Sequence, residues 1–285
     1  MTTTPLDQEA QRISDDFEAS FLSVPLEQQI ANCDHYELAP LFRRVIPDHQ
    51  PMLEAGCGSG RWVAWSVKQG WSSIGIDWSE ALCAQARKTI PGGVFHAADM
   101  RNMPVDAGSI GCILSLGAVE HASEGPAASL REYLRVLRPG GLALITVPYL
   151  SPMRRIVRGI KAPVRRILEA IKGDAASAAS RRAVNATTNP DWAVDYLRDG
   201  TRWSFFQYLF TPAQIIAEIR AAGFDIDDAY ADFHDEGVLH TFGAIAGGYD
   251  HVAGRVRLNP LGRLLHTLLP PSLTGHMFLV IARKP

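Results

Sequence analysis

The chain has 285 residues, and its 28 Lys and Arg against 30 Asp and Glu leave a net charge of −2, which gives no electrostatic reason to expect a nucleic-acid partner. The length exceeds the usual domain of about 100–150 residues, yet it fits one elaborated α/β unit, a class that runs to about 250. Four cysteines, Cys33, Cys57, Cys83 and Cys112, lack Cys-x-x-Cys spacing and read as reduced thiols of a cytoplasmic protein.

In chain order, residues 1–48 come first and read as an N-terminal helical lid, with helices expected at 6–21 and 34–45. The opening segment is acidic and amphipathic, unlike the basic-then-apolar pattern of a signal peptide. Residues 49–149 then alternate short apolar runs, at 51–55, 73–76, 93–96, 110–116 and 141–147, with helical patterns at 61–70, 79–88 and 126–137. That alternation predicts an α/β fold, a doubly wound parallel sheet covered on both faces. The run from Gly141 to Val147 lacks polar alternation, as a strand buried on both faces should.

Residues 150–210 read as an insertion that caps the substrate. It opens with 153–172, where Val157, Ile160, Val164, Ile167, Leu168 and Ile171 share one helical face and seven basic residues stand against Glu169 alone. Such a helix can lie on an anionic bilayer as a peripheral contact, or cap the fold with a solvated basic face. Pro163 marks a start or kink. Residues 173–190 are small and polar, which predicts a mobile loop. The aromatic stretch from Trp192 to Phe210 either lines an acceptor pocket or anchors the insertion. Residues 211–285 return to the core with a helix near Thr211 and strands at 224–230 and 276–283, separated by a long insertion at 232–275 that contains an amphipathic segment at 258–269. The uncharged stretch 264–282 carries Pro270, Pro271 and several polar residues, so it is not expected to cross a membrane, which takes about 20 predominantly apolar residues.

The first strand ends in Glu54-Ala55-Gly56-Cys57-Gly58-Ser59-Gly60, and Asp77 closes the next strand 17 positions later. Glycines let a backbone pass close to a bound nucleoside, and a carboxylate at the following strand tip can hold both ribose hydroxyls. A dinucleotide site needs Gly-x-Gly-x-x-Gly, whereas Arg61 stands where that third glycine would be, so NAD is disfavoured. Glu54, Asp77, Asp99 and Ser115 all fall at carboxyl ends of predicted strands, where such sheets bind ligands. An Asp after a strand is also a common helix N-cap.

Over about residues 51–149 the chain resembles the class I S-adenosylmethionine-dependent methyltransferases, in particular the bacterial branch with the ubiquinone and menaquinone enzymes. Four stations in order carry the resemblance: the glycine turn, Gly75-Ile76-Asp77-Trp78-Ser79, Ala98-Asp99-Met100, and Val136-Leu137-Arg138-Pro139-Gly140-Gly141. It implies a Rossmann-like seven-stranded sheet with the last strand antiparallel, here with a helical lid and two helical insertions. It implies S-adenosylmethionine as cofactor, lined by Glu54, Gly56, Cys57, Gly58, Asp77, Trp78, Asp99, Met100 and Ser115. In this family leading helices fold over the cofactor, so His35 and Tyr36 are candidates to face the reacting methyl group, unless Tyr36 simply packs on the sheet. His121, directly after the fourth strand, is the candidate base or acceptor contact, or else it holds its loop by hydrogen bonding. The Glu-x-x-Glu-His motif of metal-using relatives has Gly117 at its first Glu position, so no metal is expected.

The expected activity is methyl transfer to a small-molecule acceptor, at a hydroxyl oxygen, with no nucleic-acid substrate. The alternatives are a lipid-linked or glycolipid acceptor at the membrane surface, and a non-catalytic binding protein that keeps the fold.

Overall fold

The computed structural model describes residues 24–171, 175–250 and 255–285, so the helix expected at 6–21 lies outside the described residues. The helix α1 Leu26–Cys33 comes first, and after a break α2 Ala39–Val45 takes the place of the helix expected over 34–45. Pro40 explains the break. A helix begun at residue 34 would drive its ring into the carbonyl of Tyr36, whereas in the first turn of α2 its missing N–H costs nothing.

The core follows as β1 Met52–Ala55, α3 Arg61–Lys68, β2 Ser73–Asp77, α4 Glu80–Thr89, β3 Val94–Ala97, β4 Ile110–Leu116, α5 Ala127–Val136 and β5 Leu137–Pro148. After the first insertion come α8 Pro212–Ala221 and β8 Asp225–Asp232, and after the second comes β11 Met277–Arg283; the elements between are given below. The seven strands form one sheet in the order β3-β2-β1-β4-β5-β11-β8, with β11 antiparallel to both neighbours. The expected fold is therefore present. Because β11 runs backwards, with Met277 opposite Pro148, its first residues lie at the same edge as the carboxyl ends of β4 and β5.

Each face of the sheet carries its own apolar core. On one side α1, α2 and α3 bury Phe42, Trp62 and Trp65, with Trp62 edge-on to Phe42 at 4.9 Å and to Trp65 at 5.4 Å. On the other side α5 and α8 bury Leu130, Tyr133 and Ile215.

Both insertions are helical, as expected, and each also carries a hairpin. The first runs α6 Pro152–Ile171, α7 Ala175–Thr187, β6 Ala193–Asp199 and β7 Arg202–Leu209. The loop expected at 173–190 is mostly α7, because its small residues are largely alanines, the strongest helix formers. Its serines allow close packing on β7: Ser177 Oγ accepts the Trp203 indole N–H at 2.7 Å and Ser180 Oγ accepts the Trp203 backbone N–H at 2.9 Å. The aromatic stretch forms the β6–β7 hairpin and anchors the insertion, since Tyr208 and Phe210 are fully buried and Trp192 packs on both. The second insertion runs α9 His234–Phe242, β9 Gly247–Asp250, β10 Arg255–Leu258 and α10 Pro260–Leu268. Among the described residues no helix is long and apolar enough to cross a membrane.

The buried Tyr208 hydroxyl ties the hairpin to the core by donating to the Ser123 carbonyl and accepting the Asn189 N–H at 2.9 Å. Tyr208→Phe leaves both groups unmet, and urea unfolding should show a loss of about 1–3 kcal/mol.

Candidate functional site

Gly56, Gly58 and Gly60 all have positive φ, at 78°, 53° and 77°. The turn they form is tied to the tip of β2 by main-chain bonds, with the N–H groups of Gly56 and Cys57 both donating to the Ile76 carbonyl at 2.8 and 2.9 Å. Asp77 completes the link: one carboxylate oxygen accepts the Gly58 N–H at 2.8 Å and the other accepts the Ser79 N–H at 3.0 Å. The N-cap of α4 is Ser79, whose hydroxyl accepts from Leu82, so the capping explanation for Asp77 falls away. A Cβ at Gly56 would stand 2.8 Å from the Cβ of Ala118, at the start of the loop after β4, so the backbone there leaves no room for a side chain. Trp78, next to the carboxylate, is 55% exposed.

Glu54 is buried at the end of β1, and its Oε2 has no hydrogen-bond partner among the described residues. Burial pushes its carboxyl up to about 8, against the pull of Arg61. Arg61, the first residue of α3, was missed as a site residue by sequence reasoning. Its guanidinium lies 5.3 Å from the Tyr36 ring centroid and 5.9 Å from that of Trp62. The signal was available, because a cation in the first turn of a helix opposes the helix dipole and needs another reason to be there.

The remaining expected residues divide. The Cys57 side chain is buried beneath Gly75, so only its backbone belongs to the turn. Asp99 is paired with Arg101, which holds its carboxyl below the usual range. Tyr133 joins Ser115 to Met100: its hydroxyl lies 3.1 Å from Ser115 Oγ and donates to the Met100 sulfur at 3.2 Å. Ser115 is fully buried in that chain.

His121 bonds through Nδ1 to the Phe206 carbonyl at 2.8 Å and rests edge-on to the Phe206 ring. Phe206 is the residue skipped by the bulge in the β6–β7 pairing, which leaves its carbonyl open to this bond. Donation from Nδ1 leaves the lone pair on Nε2, and burial lowers the affinity of the ring for a second proton. His121 therefore joins the loop after β4 to the hairpin while staying neutral at pH 7.

A cavity of about 1770 Å³ begins where the turn ends. It is lined by Tyr36 and Arg61, by Phe233 and Glu236 around the start of α9, and by His240 and His276. Tyr36 both packs, edge-on to Trp62 at 5.4 Å and to Phe233 at 5.1 Å, and faces this space; His35 lines it too, and His121 does not. His240 and His276 are stacked at 4.1 Å with ring planes 7° apart, and burial pushes His276 down to about 3. Sequence reasoning missed this pair, which no spacing announces.

Residues 53–145 match the family model described as a methyltransferase domain. The chain carries a class I S-adenosylmethionine-dependent methyltransferase domain. Over 97 residues the domain is 31% identical to a probable S-adenosylmethionine-dependent methyltransferase of Mycolicibacterium smegmatis, covering 34% of this chain and 37% of that protein. It is 28% identical over 198 residues to a trans-aconitate 2-methyltransferase of an Azoarcus species, covering 64% of this chain and 72% of the other. Among solved structures, the 1,6-didemethyltoxoflavin-N1-methyltransferase of Burkholderia thailandensis, crystallised with S-adenosylhomocysteine, shares the fold at a TM-score of 0.52 and 16% identity, over 100% of this chain and 92% of that one. The chain spans only about a third of the length of curated relatives such as the Mycolicibacterium protein.

The methyltransferase domain's own residues fit the family's cofactor, S-adenosylmethionine. The turn has a cradle that a Cβ would fill, and an unmatched buried carboxyl oxygen stands at its root. Gly56→Ala forces a Cβ into that cradle at a left-handed φ; the variant should lose about 1–2 kcal/mol of stability, and calorimetry should find its affinity for S-adenosylhomocysteine sharply reduced.

Proposed function

We propose that this chain transfers the methyl group of S-adenosylmethionine to a small-molecule acceptor, at a hydroxyl oxygen. The observation that carries the reading is the cavity itself, which adjoins the glycine turn through Arg61 and exceeds the roughly 300–1,000 Å³ of a usual ligand pocket. It has room for an acceptor next to the turn. The name of the trans-aconitate relative supports a small acceptor, while the likeness to the ubiquinone-type branch rests on the sequence motifs alone.

When bound, the cofactor supplies a methyl group on a sulfonium that is its own leaving group, so the protein's task is alignment and exclusion of water. Asp77, whose carboxylate also accepts from Gly58 and Ser79, would hold the ribose hydroxyls. Trp78 and Met100 would hold the adenine by apolar contact, and Asp99 would receive its amino group. Glu54, with its unmatched Oε2, would answer a cation on the cofactor. Tyr36 and Arg61, which line the cavity together, would cover the reacting centre and exclude water. Two histidine positions can take the acceptor's proton: His121, whose neutral tautomer is fixed by Phe206, and His276, which lines the cavity. Burial keeps both neutral at pH 7, but by pushing His276 down to about 3 it makes that ring the weaker base.

The reading is tested by incubating the protein with labelled S-adenosylmethionine and a cell extract separated into small-molecule and macromolecular fractions. Label is expected in the small molecules, and label confined to protein or RNA would overturn the acceptor class. Asp77→Ala should abolish S-adenosylhomocysteine binding in calorimetry.

Glu54 gives a sharper expectation. With its carboxyl near 8, it is mostly protonated at pH 7, and a cation bound beside it releases that proton. Affinity for S-adenosylhomocysteine should therefore rise from pH 6 to about 8 and level off above, with close to one proton released per site at pH 7. Glu54→Gln should flatten both. The free protein behaves oppositely: a carboxyl raised in the folded state binds its proton more tightly there, so this contribution to stability falls as pH climbs from 4.5 towards 8.

A further inference from the structure

Helix α10 is mounted the wrong way round for burial alone. Its apolar side chains Leu264 and Leu268 are 53% and 66% exposed, whereas Arg263, His266 and Thr267 line the cavity. A helix placed only to hide apolar surface would turn the leucines inward and the arginine out. Two contacts fix the reverse setting. Gly262 is pressed so closely on the Ala246 carbonyl that a Cβ there would stand 1.9 Å from the oxygen, and the N-cap Asn259 both accepts from Gly262 and donates to the Ile245 carbonyl at 2.9 Å. The cavity therefore receives the polar side of α10.

Strand β10 adds Arg255 and Arg257 to the same walls, and no Asp or Glu occurs from residue 251 to residue 285 to balance these three arginines. The lid and α9 do bring carboxylates to the cavity, in Glu37, Asp235 and Glu236. Each of them is already engaged or held towards its uncharged form. Glu37 accepts the Phe233 N–H at 2.8 Å, and burial beside Asp232 raises its carboxyl to about 8. Asp235 stands 3.3 Å from His266 Nε2, and burial pushes the Glu236 carboxyl up. Arg257 pairs with Asp250 of β9. Arg255 and Arg263 are left over: among the described residues neither has a carboxylate within 4.0 Å, and the Arg263 guanidinium reaches only the Leu258 carbonyl, at 3.3 Å. An arginine fork carries five N–H donors, spaced to suit the paired oxygens of a carboxylate or a phosphate.

We propose that the acceptor carries a carboxylate or phosphate group and that Arg255 and Arg263 bind it in the cavity. The inference rests on the methyl-transfer reading for the reaction, while the anion site stands on the setting of α10 and the two unpaired arginines. Methylation at a hydroxyl leaves the acidic group untouched, so the product keeps its negative charge.

The test passes the labelled small molecules over an anion exchanger at about pH 8, where carboxylates and phosphates are ionised. The label should be retained. Retention lost on phosphatase treatment marks a phosphate ester and retention that survives it marks a carboxylate, and both uphold the proposal. Arg255→Gln together with Arg263→Gln should raise the amount of small-molecule fraction needed for half-maximal rate by about tenfold or more, because charged hydrogen bonds are lost. Arg255→Lys together with Arg263→Lys should recover most of that loss, and both pairs should bind S-adenosylhomocysteine as the unaltered protein does. Label confined to unretained small molecules overturns the anion site and leaves methyl transfer standing, and so does a charge-removing pair that saturates at the same amount. If no small molecule is labelled, the methyl-transfer reading fails instead, and calorimetry with citrate and with pyrophosphate decides the site. Binding that the charge-removing pair abolishes upholds it, and binding of neither anion, or binding that survives the pair, overturns it.

Discussion

One carboxylate joins the two parts of the molecule that must meet for a nucleoside to bind. Asp77 accepts from Gly58 on the turn after β1 and from Ser79 at the head of α4. The turn, with three positive φ angles, has few alternatives that keep both bonds. The same carboxylate is the one proposed above as the ribose ligand, so a single side chain would serve both the turn and the cofactor. Replacing Asp77 would remove both bonds that join the turn to the head of α4.

Much of this was legible in the sequence, for physical reasons. Strands buried on both faces announce themselves as apolar runs, and positive φ admits little but glycine, so β1, β2, β4, β5 and the turn could be read without contacts. The lid and the insertions were less legible because their signals are ambiguous in kind. A run of Ala and Ser reads as a loop by size and as a helix by propensity, and α7 is the helix. The proline of α2 was visible, but its position at a helix start rather than within one depends on where the chain turns. Arg61 was visible too, and was weighed only as a missing glycine.

The histidines show what sequence cannot supply. His121 stood out because it follows β4 directly, and the bulge at Phe206 then engages it from a strand 85 positions away. His276 has no local pattern; what places it is the reversal of β11, which carries its first residues to the carboxyl edge of the sheet beside Pro148. A long insertion is what makes that reversal useful. Here α9 leaves β8 at Phe233, stacks His240 on His276 and closes the cavity against Tyr36.

Phe233 also shows how the lid and the insertion constrain each other. It is the one residue other than glycine with positive φ among the described residues, at 56°, a conformation that costs a bulky side chain energy and persists only where its surroundings enforce it. Its N–H is held by Glu37 from the lid at 2.8 Å, and its ring by Tyr36. Burial beside Asp232 raises the Glu37 carboxyl to about 8, so one of these two acids carries a proton at neutral pH and the lid bears on the insertion without facing charge repulsion. The strained residue, the acid pair and the aromatic contact thus form one junction, and the cavity wall exists only while the lid and the insertion meet there.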